Sequence, residues 1–363
     1  MSEDLTIDIA ELRDNVRQVL AGRSNLQAVR AMAEAGGGID RALWAEMAGL
    51  GWMGLAVAED QGGLGLGLGE LAVLYDGLGR HLARVPFLST MLAAQALERA
   101  GDAAQKQRWL PAIAAGELAV SMVLPEGPEL PALAADGTLT GVADHMPFAD
   151  GAGLLAVPVR LAGGGQTALA LLPPGEAGIS ITRKAAIDLT RDLCAVRIDG
   201  VRVAADRLLP LTSAQWEGLR DHACVALACD AMGGALHILE RTADYMSTRV
   251  QFDRPIGSFQ ALKHRAATWK IWQEAATALA FNAAAQVAAG LPDAGAAASA
   301  AKFYACDAYA AIAGDAVQLH GGIGFTWEHE CHLFLKRAKL NQALFGGSAF
   351  HKDRVAGLLF AAA

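Results

Sequence analysis

Basic residues are the scarcer charge in this chain. Thirty Lys and Arg stand against 38 Asp and Glu, a formal net charge of −8. Without a cationic surplus the surface cannot neutralise phosphates, which excludes non-specific nucleic-acid binding. Cysteine is also sparse. Cys194, Cys224, Cys229, Cys306 and Cys331 are odd in number and show no CxxC spacing, which predicts reduced thiols packed as small apolar residues. The acidic start Met1-Ser2-Glu3-Asp4-Leu5 lacks the positive-then-apolar pattern of a signal peptide. Ala223 to Leu239 is interrupted by Asp230, Gly233 and Gly234, so no run of roughly 20 apolar residues is expected to span a membrane. The expectation is a soluble, cytoplasmic chain with neither membrane nor nucleic acid as partner. Charged residues make up 19% against 53% hydrophobic, which excludes disorder and predicts a large core.

Three textures follow one another along the chain. From Asp8 to about Glu117 the pattern is helical, with Ile9, Leu12, Val16 and Leu20 at spacings of three to four. Further helices are expected around Leu26–Ala35, Asp40–Leu50 and Leu71–Leu78, with Asp40 as an N-cap. The middle has short apolar runs at Ala119–Leu124, Gly151–Leu161, Thr167–Leu172 and Cys194–Val203. Arg197, Asp199 and Arg202 interrupt the last of these as a wet strand face would, which predicts antiparallel β structure. From Ser213 the helical period returns: Trp216–Arg249 has no proline, and Leu262, Trp269, Trp272, Ala276, Leu279 and Ala283 form one seam of a bundle helix. Leu291-Pro292 marks a break before an Ala-rich helix over Ala294–Leu319. The fold class is α+β, divided as 1–118 helical, 119–212 antiparallel β and 213–363 a four-helix bundle.

Two motifs read as structural. The glycine run 62–69 does not fit GxGxxG, because Leu68 and Glu70 stand where Gly is required, so a turn between helices is expected. His329-Glu330-Cys331-His332 has metal-ligand residue types, but no second cluster completes the ligand set. A helix start, with no metal, is expected there.

Two other stretches carry a resemblance. Arg249-Val250-Gln251-Phe252-Asp253-Arg254-Pro255-Ile256, continuing through Phe259-Gln260, and Gln318-Leu319-His320-Gly321-Gly322-Ile323-Gly324-Phe325-Thr326-Trp327-Glu328-His329 resemble the two C-terminal signatures of the acyl-CoA dehydrogenases, in order and separation. The order of helices, strands and bundle is similar to that family over nearly the whole chain. The resemblance implies that Arg249, Gln251, Phe252, Gln318, Gly321 and Gly322 contact an FAD held largely by a neighbouring subunit. A guanidinium suits a pyrophosphate, and paired glycines let backbone approach one closely. The alternatives are an Arg paired with a surface acid and a helix-stop glycine.

The family's reaction needs a carboxylate that takes a proton α to a thioester. By the resemblance that position falls at Phe345 or Gly346, within Leu344-Phe345-Gly346-Gly347-Ser348, where no acid exists. The family's other location falls near Ala223 and Cys224; Asp221 is two residues off, about 200° around a helix. Asp353 and His351 read as surface or cap groups. The segments that would touch a chain's own flavin and substrate also depart from the family, reading Val123-Leu124-Pro125-Glu126-Gly127-Pro128 and Met146-Pro147-Phe148. No catalytic residue is therefore assigned.

The leading expectation is a subunit without its own base that completes a FAD site in a hetero-oligomer acting on an acyl-CoA. A related dehydrogenase chain, or a second copy in a dimer or tetramer, would be the partner. An electron-transfer flavoprotein would take the electrons, and bulky esters such as steroid side chains are the implied substrates. The alternatives are a homomeric dehydrogenase with Asp221 or Asp353 as relocated base, and a flavin-free scaffold.

Overall fold

The structure is a computed structural model that describes residues 8–361 apart from 25, 128 and 164. The readings of Met1–Leu5 and of Pro128 lie outside the described residues. Six helices come first: α1 (Ile9–Arg23), α2 (Leu26–Glu34), α3 (Arg41–Gly49), α4 (Leu68–Arg80), α5 (Phe87–Ala100) and α6 (Ala103–Ala114). Eight strands follow: β1 (Val120–Met122), β2 (Ala132–Leu133), β3 (Thr138–Pro147), β4 (Leu154–Leu161), β5 (Thr167–Leu172), β6 (Ile179–Arg183), β7 (Leu193–Arg202) and β8 (Leu208–Leu211). The last third holds α7 (Ser213–Thr248), a short hairpin of β9 (Val250–Gln251) and β10 (Arg254–Pro255), then α8 (Gln260–Ala288), α9 (Ala294–His320), α10 (Cys331–Ala343) and α11 (Ser348–Ala361). Contacts gather these elements into two compact units, each discontinuous in sequence.

The unit formed by Ala31–Gly67 and Arg84–Ala223 is built on the sheet. Its strand order is β6-β7-β3-β2-β4-β5-β8, with β1 also on β4. The sheet is mixed, which corrects the antiparallel expectation: β4 runs parallel to β1 at Leu154–Ala156 and to β2 at Arg160 and Leu161. The reason is topological. β2 pairs antiparallel with β3 and lies between it and the oppositely directed β4, so β2 and β4 must point the same way. Leu139, Leu155, Val157, Ala170, Val196 and Ile198 fill the core, while Arg197, Asp199 and Arg202 alternate outward on β7. Asp40 caps α3 through Leu43 N–H at 2.9 Å, and Thr90 on α5 binds β1 through Val120 N–H at 3.0 Å. The segment 62–67 is a built turn. Gly62 and Gly65 have φ of +85° and +63°, and Leu64 and Gly65 N–H donate to the Gly54 and Val57 carbonyls.

His222, buried in the same unit, lies 2.9 Å through Nδ1 from Gln95 Oε1. Burial, helped by the Arg99 charge, lowers its pKa to about 3. Unfolded imidazole takes up a proton near pH 6.5. The folded ring does not until much lower, so stability is full above 6.5 and is lost as pH falls. At pH 5 the loss is about 2 kcal/mol. Denaturant midpoints at pH 7 and pH 5 should show it, and His222→Gln should flatten the slope. An unchanged slope in that variant would remove His222 as its source.

The other unit comprises Met1–Arg30, Leu68–Ala83 and Cys224–Ala363. α9 is its centre, packed by α8, α10 and α11, and the described residues of the last third hold the five helices α7–α11. α1 shows its seam as Leu12, Val16 and Leu20, all buried. On α8 the buried stripe is Trp269, Gln273, Ala276, Ala280 and Ala283. Trp272, expected inside, is 36% exposed, because alanine rather than a large side chain occupies most of the contact face. α4 and α7 approach through reciprocal glycines. A Cβ on Gly79 would lie 2.1 Å from Asp230 O, and one on Gly233 would lie 1.9 Å from Asp76 O. By length and composition α7 could cross a membrane, contrary to the sequence reading, since one Asp and two glycines do not offset its apolar remainder. In that apolar window, 83% is buried inside the protein. All five cysteines are buried and none is paired in a disulfide.

Candidate functional site

Both signatures belong to the α-helical unit and meet at the end of α7. Arg249 N–H donates to Tyr245 O at 2.8 Å, and the Tyr245 ring stacks on His320 at 4.3 Å between centroids. His320 ends α9, just after Gln318. Packing thus places the first signature beside the start of the second.

The first signature folds as a hairpin. β9 and β10 pair through Gln251↔Arg254, and the two turn residues, Phe252 and Asp253, have φ of +54° and +61°. Two consecutive left-handed residues are the type I′ turn, which normally calls for Asn or Gly. Phe in that conformation carries strain on the order of 1–3 kcal/mol. Its ring gains little burial in return: Phe252 is 86% exposed, touching Phe259 edge-on at 6.1 Å. Arg254 lies over the Phe259 face at 4.1 Å, which fixes the hairpin base. Arg249 and Gln251 are exposed.

The second signature begins where α9 stops. Gly321 has φ +62° and ψ −141°, a region in practice restricted to glycine, and its N–H donates to Gln318 O as a helix stop. That N–H is therefore engaged within the chain. Gly322 differs, because its φ is not positive and a Cβ there would meet no atom within 4 Å. Nothing among the described residues requires glycine at 322, so the helix-stop alternative accounts for one glycine of the pair. Gln318, Gly321 and Gly322 are all exposed, and Phe325 is 76% exposed. The open cradle at Gly322, with a guanidinium and two carboxamides exposed on the same unit, has donor chemistry that fits the polar part of an FAD.

The expected base position is plugged rather than vacant. Phe345 is buried with φ +56°, and Gly346 has φ +101°. The Phe345 carbonyl accepts from His351 Nε2 at 3.0 Å, and the Gly346 carbonyl accepts from Lys302 Nζ, which also reaches Gln342 O at 3.0 Å. With that tautomer, His351 Nδ1 accepts from Ser299 Oγ at 3.1 Å, and Arg354 donates to the same oxygen at 2.7 Å. This buried chain of donors corrects the surface or cap reading of His351. Lys302, Ser299 and Arg354 were not anticipated, and no sequence spacing signals them. Cys224 lies 4.0 Å from His351 at the alternative base position. Asp221 sits half-buried in the field of Arg99, and Asp353 is exposed on α11.

α10 starts at Cys331 after Glu330, as expected of the His329–His332 run. Burial would push the Glu330 carboxyl up. His237, and Arg241 at 2.8 Å, outweigh it and hold the group below the usual carboxylate range. The Arg337 guanidinium and Asn341, farther along α10, face Asp230 of α7, with Asn341 Nδ2 at 2.6 Å.

Helices, a sheet domain and a helical domain carrying both signatures are the architecture of the acyl-CoA dehydrogenases. The chain belongs to this family: residues 217–359 match the acyl-CoA dehydrogenase C-terminal domain and residues 6–117 the N-terminal domain. It is similar to acyl-CoA dehydrogenase IpdE2 of Mycolicibacterium smegmatis, 32% identical over 337 residues, covering 92% of this chain and 93% of that protein. FadE27 of Mycobacterium tuberculosis is 31% identical, covering 87% of each. Among solved structures, a chain of the ChsE4-ChsE5 complex from Mycobacterium tuberculosis superposes with TM-score 0.89 at 28% identity over 99% of both chains. A variant of the Tcur3481-Tcur3483 steroid ACAD gives 0.85 at 30% over 98% of both.

Proposed function

We propose that this chain is a subunit that lacks its own base and completes a FAD site in a hetero-oligomer that α,β-desaturates an acyl-CoA thioester in the cytoplasm. The observation that carries the reading is a contrast within one unit. The loop matched to the base holds no acid and is tied down by Lys302 and His351, while all six residues matched to cofactor contact are exposed. A homomer needs both functions in each chain, whereas a mixed assembly needs the second from this one. The ChsE4-ChsE5 structure, a complex of two differently named chains, supports a related dehydrogenase as partner. The steroid ACAD supports a bulky acyl group.

In such a site FAD supplies the hydride acceptor when bound. This chain contributes the Arg249 guanidinium toward the pyrophosphate, carboxamides at Gln251 and Gln318, Phe252 as an apolar cover, and room at Gly322. Proton removal falls to the partner, and an electron-transfer flavoprotein takes the electrons onward.

The lone purified chain is expected to carry little visible flavin absorbance, and co-expression with a related dehydrogenase chain should restore it. Arg249→Ala should weaken FAD retention by about 10- to 100-fold, the worth of a charge-assisted phosphate contact. The exposed position means that folding should be unaffected. Close to one FAD per lone chain would sink the reading in favour of a homomer. A complex that stays colourless would favour a flavin-free scaffold.

A further inference from the structure

A cluster near the second signature is unused by this reading. The His329-Glu330-Cys331-His332 run lacked a second cluster in the sequence, and the structure supplies one member of it. His320, at the end of α9, comes back against the start of α10, so that His320, His329 and Cys331 each place a ligand atom within 4.8 Å of the others. Cys331 Sγ lies 3.4 Å from His320 Nδ1, and the two imidazoles are 4.4 Å apart between centroids. His320 and Cys331 are buried and His329 is half-buried, so the cluster opens to solvent on one side.

We infer that His320, His329 and Cys331 form a binding site for a borderline-soft divalent cation of the zinc type. Two imidazoles and a thiolate are the donors such an ion takes, and three protein ligands leave a fourth position for water. The surroundings suit the role. His320 Nδ1 lies 2.8 Å from the Ala316 carbonyl, which holds the ring in place beside Cys331. Tyr245 stacks on the same ring and limits its rotation. His329 Nδ1 is held only loosely, by the Cys331 amide at 3.3 Å. Two guanidiniums, Arg241 and Arg30, act on His329, and the first is matched by Glu330 at 2.8 Å, which reduces its repulsion of an incoming ion. Binding would displace the Cys331 thiol proton to solvent and form the metal–sulfur bond, with no change of oxidation state. Because 320 and 329 bracket the segment 321–328, the ion would clip together both ends of the loop that holds Gly321 and Gly322.

The test is Co²⁺ titration of the purified full chain, followed by Zn²⁺ competition. The expected result is a thiolate-to-cobalt charge-transfer band saturating at one ion per chain and abolished by Zn²⁺. Cys331→Ser should remove the band, and His329→Gln, at the half-exposed edge where folding is not at risk, should weaken binding at least tenfold. No band in the wild-type chain, or full-strength binding in His329→Gln, would overturn the site. The readout needs neither flavin nor activity, so its failure leaves the proposed function standing.

Discussion

Valine at Gly233 is expected to leave no folded, soluble chain, and alanine there should cost about 3 kcal/mol or more. The crossing of α4 and α7 explains the size of the effect. Overpacking a core usually costs about 1–3 kcal/mol, because neighbouring side chains can shift rotamer. Here the atom in the way is backbone: a Cβ on Gly233 would sit 1.9 Å from Asp76 O and 2.8 Å from Arg80 N. Relief requires moving a helix, and α4 is also fixed by the same kind of contact at Gly79, 2.1 Å from Asp230 O. Circular dichroism and denaturant titration of Gly233→Ala would check it. A midpoint equal to wild type would show that the helices are not so close.

Restoring an acid at the plugged loop is expected to give no desaturation by the lone chain. A positioned general base typically contributes about 10²–10⁴ in rate, so a working replacement would be conspicuous in an acyl-CoA assay with an artificial electron acceptor. Phe345→Glu should fail because it deletes a buried ring, at a cost of about 3–5 kcal/mol, and leaves a carboxylate in its place. Gly346→Glu fares worse, since its Cβ would lie 2.4 Å from the Phe350 ring at φ +101°. The first variant should fold with reduced stability and the second should fold poorly. A hundredfold gain in turnover by either chain alone would overturn the subunit reading.

How much of this could be read from the sequence depends on what each feature rests upon. α1 was legible because large apolar residues recur at Leu12, Val16 and Leu20. The seam of α8 was misread because the partner face is lined by alanines, and hydrophobic size does not distinguish an exposed Trp272 from a buried Ala280. The missing acid at 345–346 was legible only through the family resemblance, which says where the base should stand. Its replacement by a plug was not, since Lys302, His351 and Gly346 come from separate segments that only the packing around α9 unites. The convergence of His320 with Cys331 was hidden for the same reason: it depends on the Gly321 turn reversing the chain.

The hairpin has a consequence for the cell's accounting of copies. Phe252 is held in solvent by a strained turn, and Phe325 stands exposed on the same unit. On the proposed reading these rings are covered only after assembly, so each surplus copy remains adhesive while each matched copy does not. Persistence of the chain is then tied to stoichiometry: of the copies made in excess of the partner a larger share should be lost to self-association, the rest staying soluble, than of copies made with the partner.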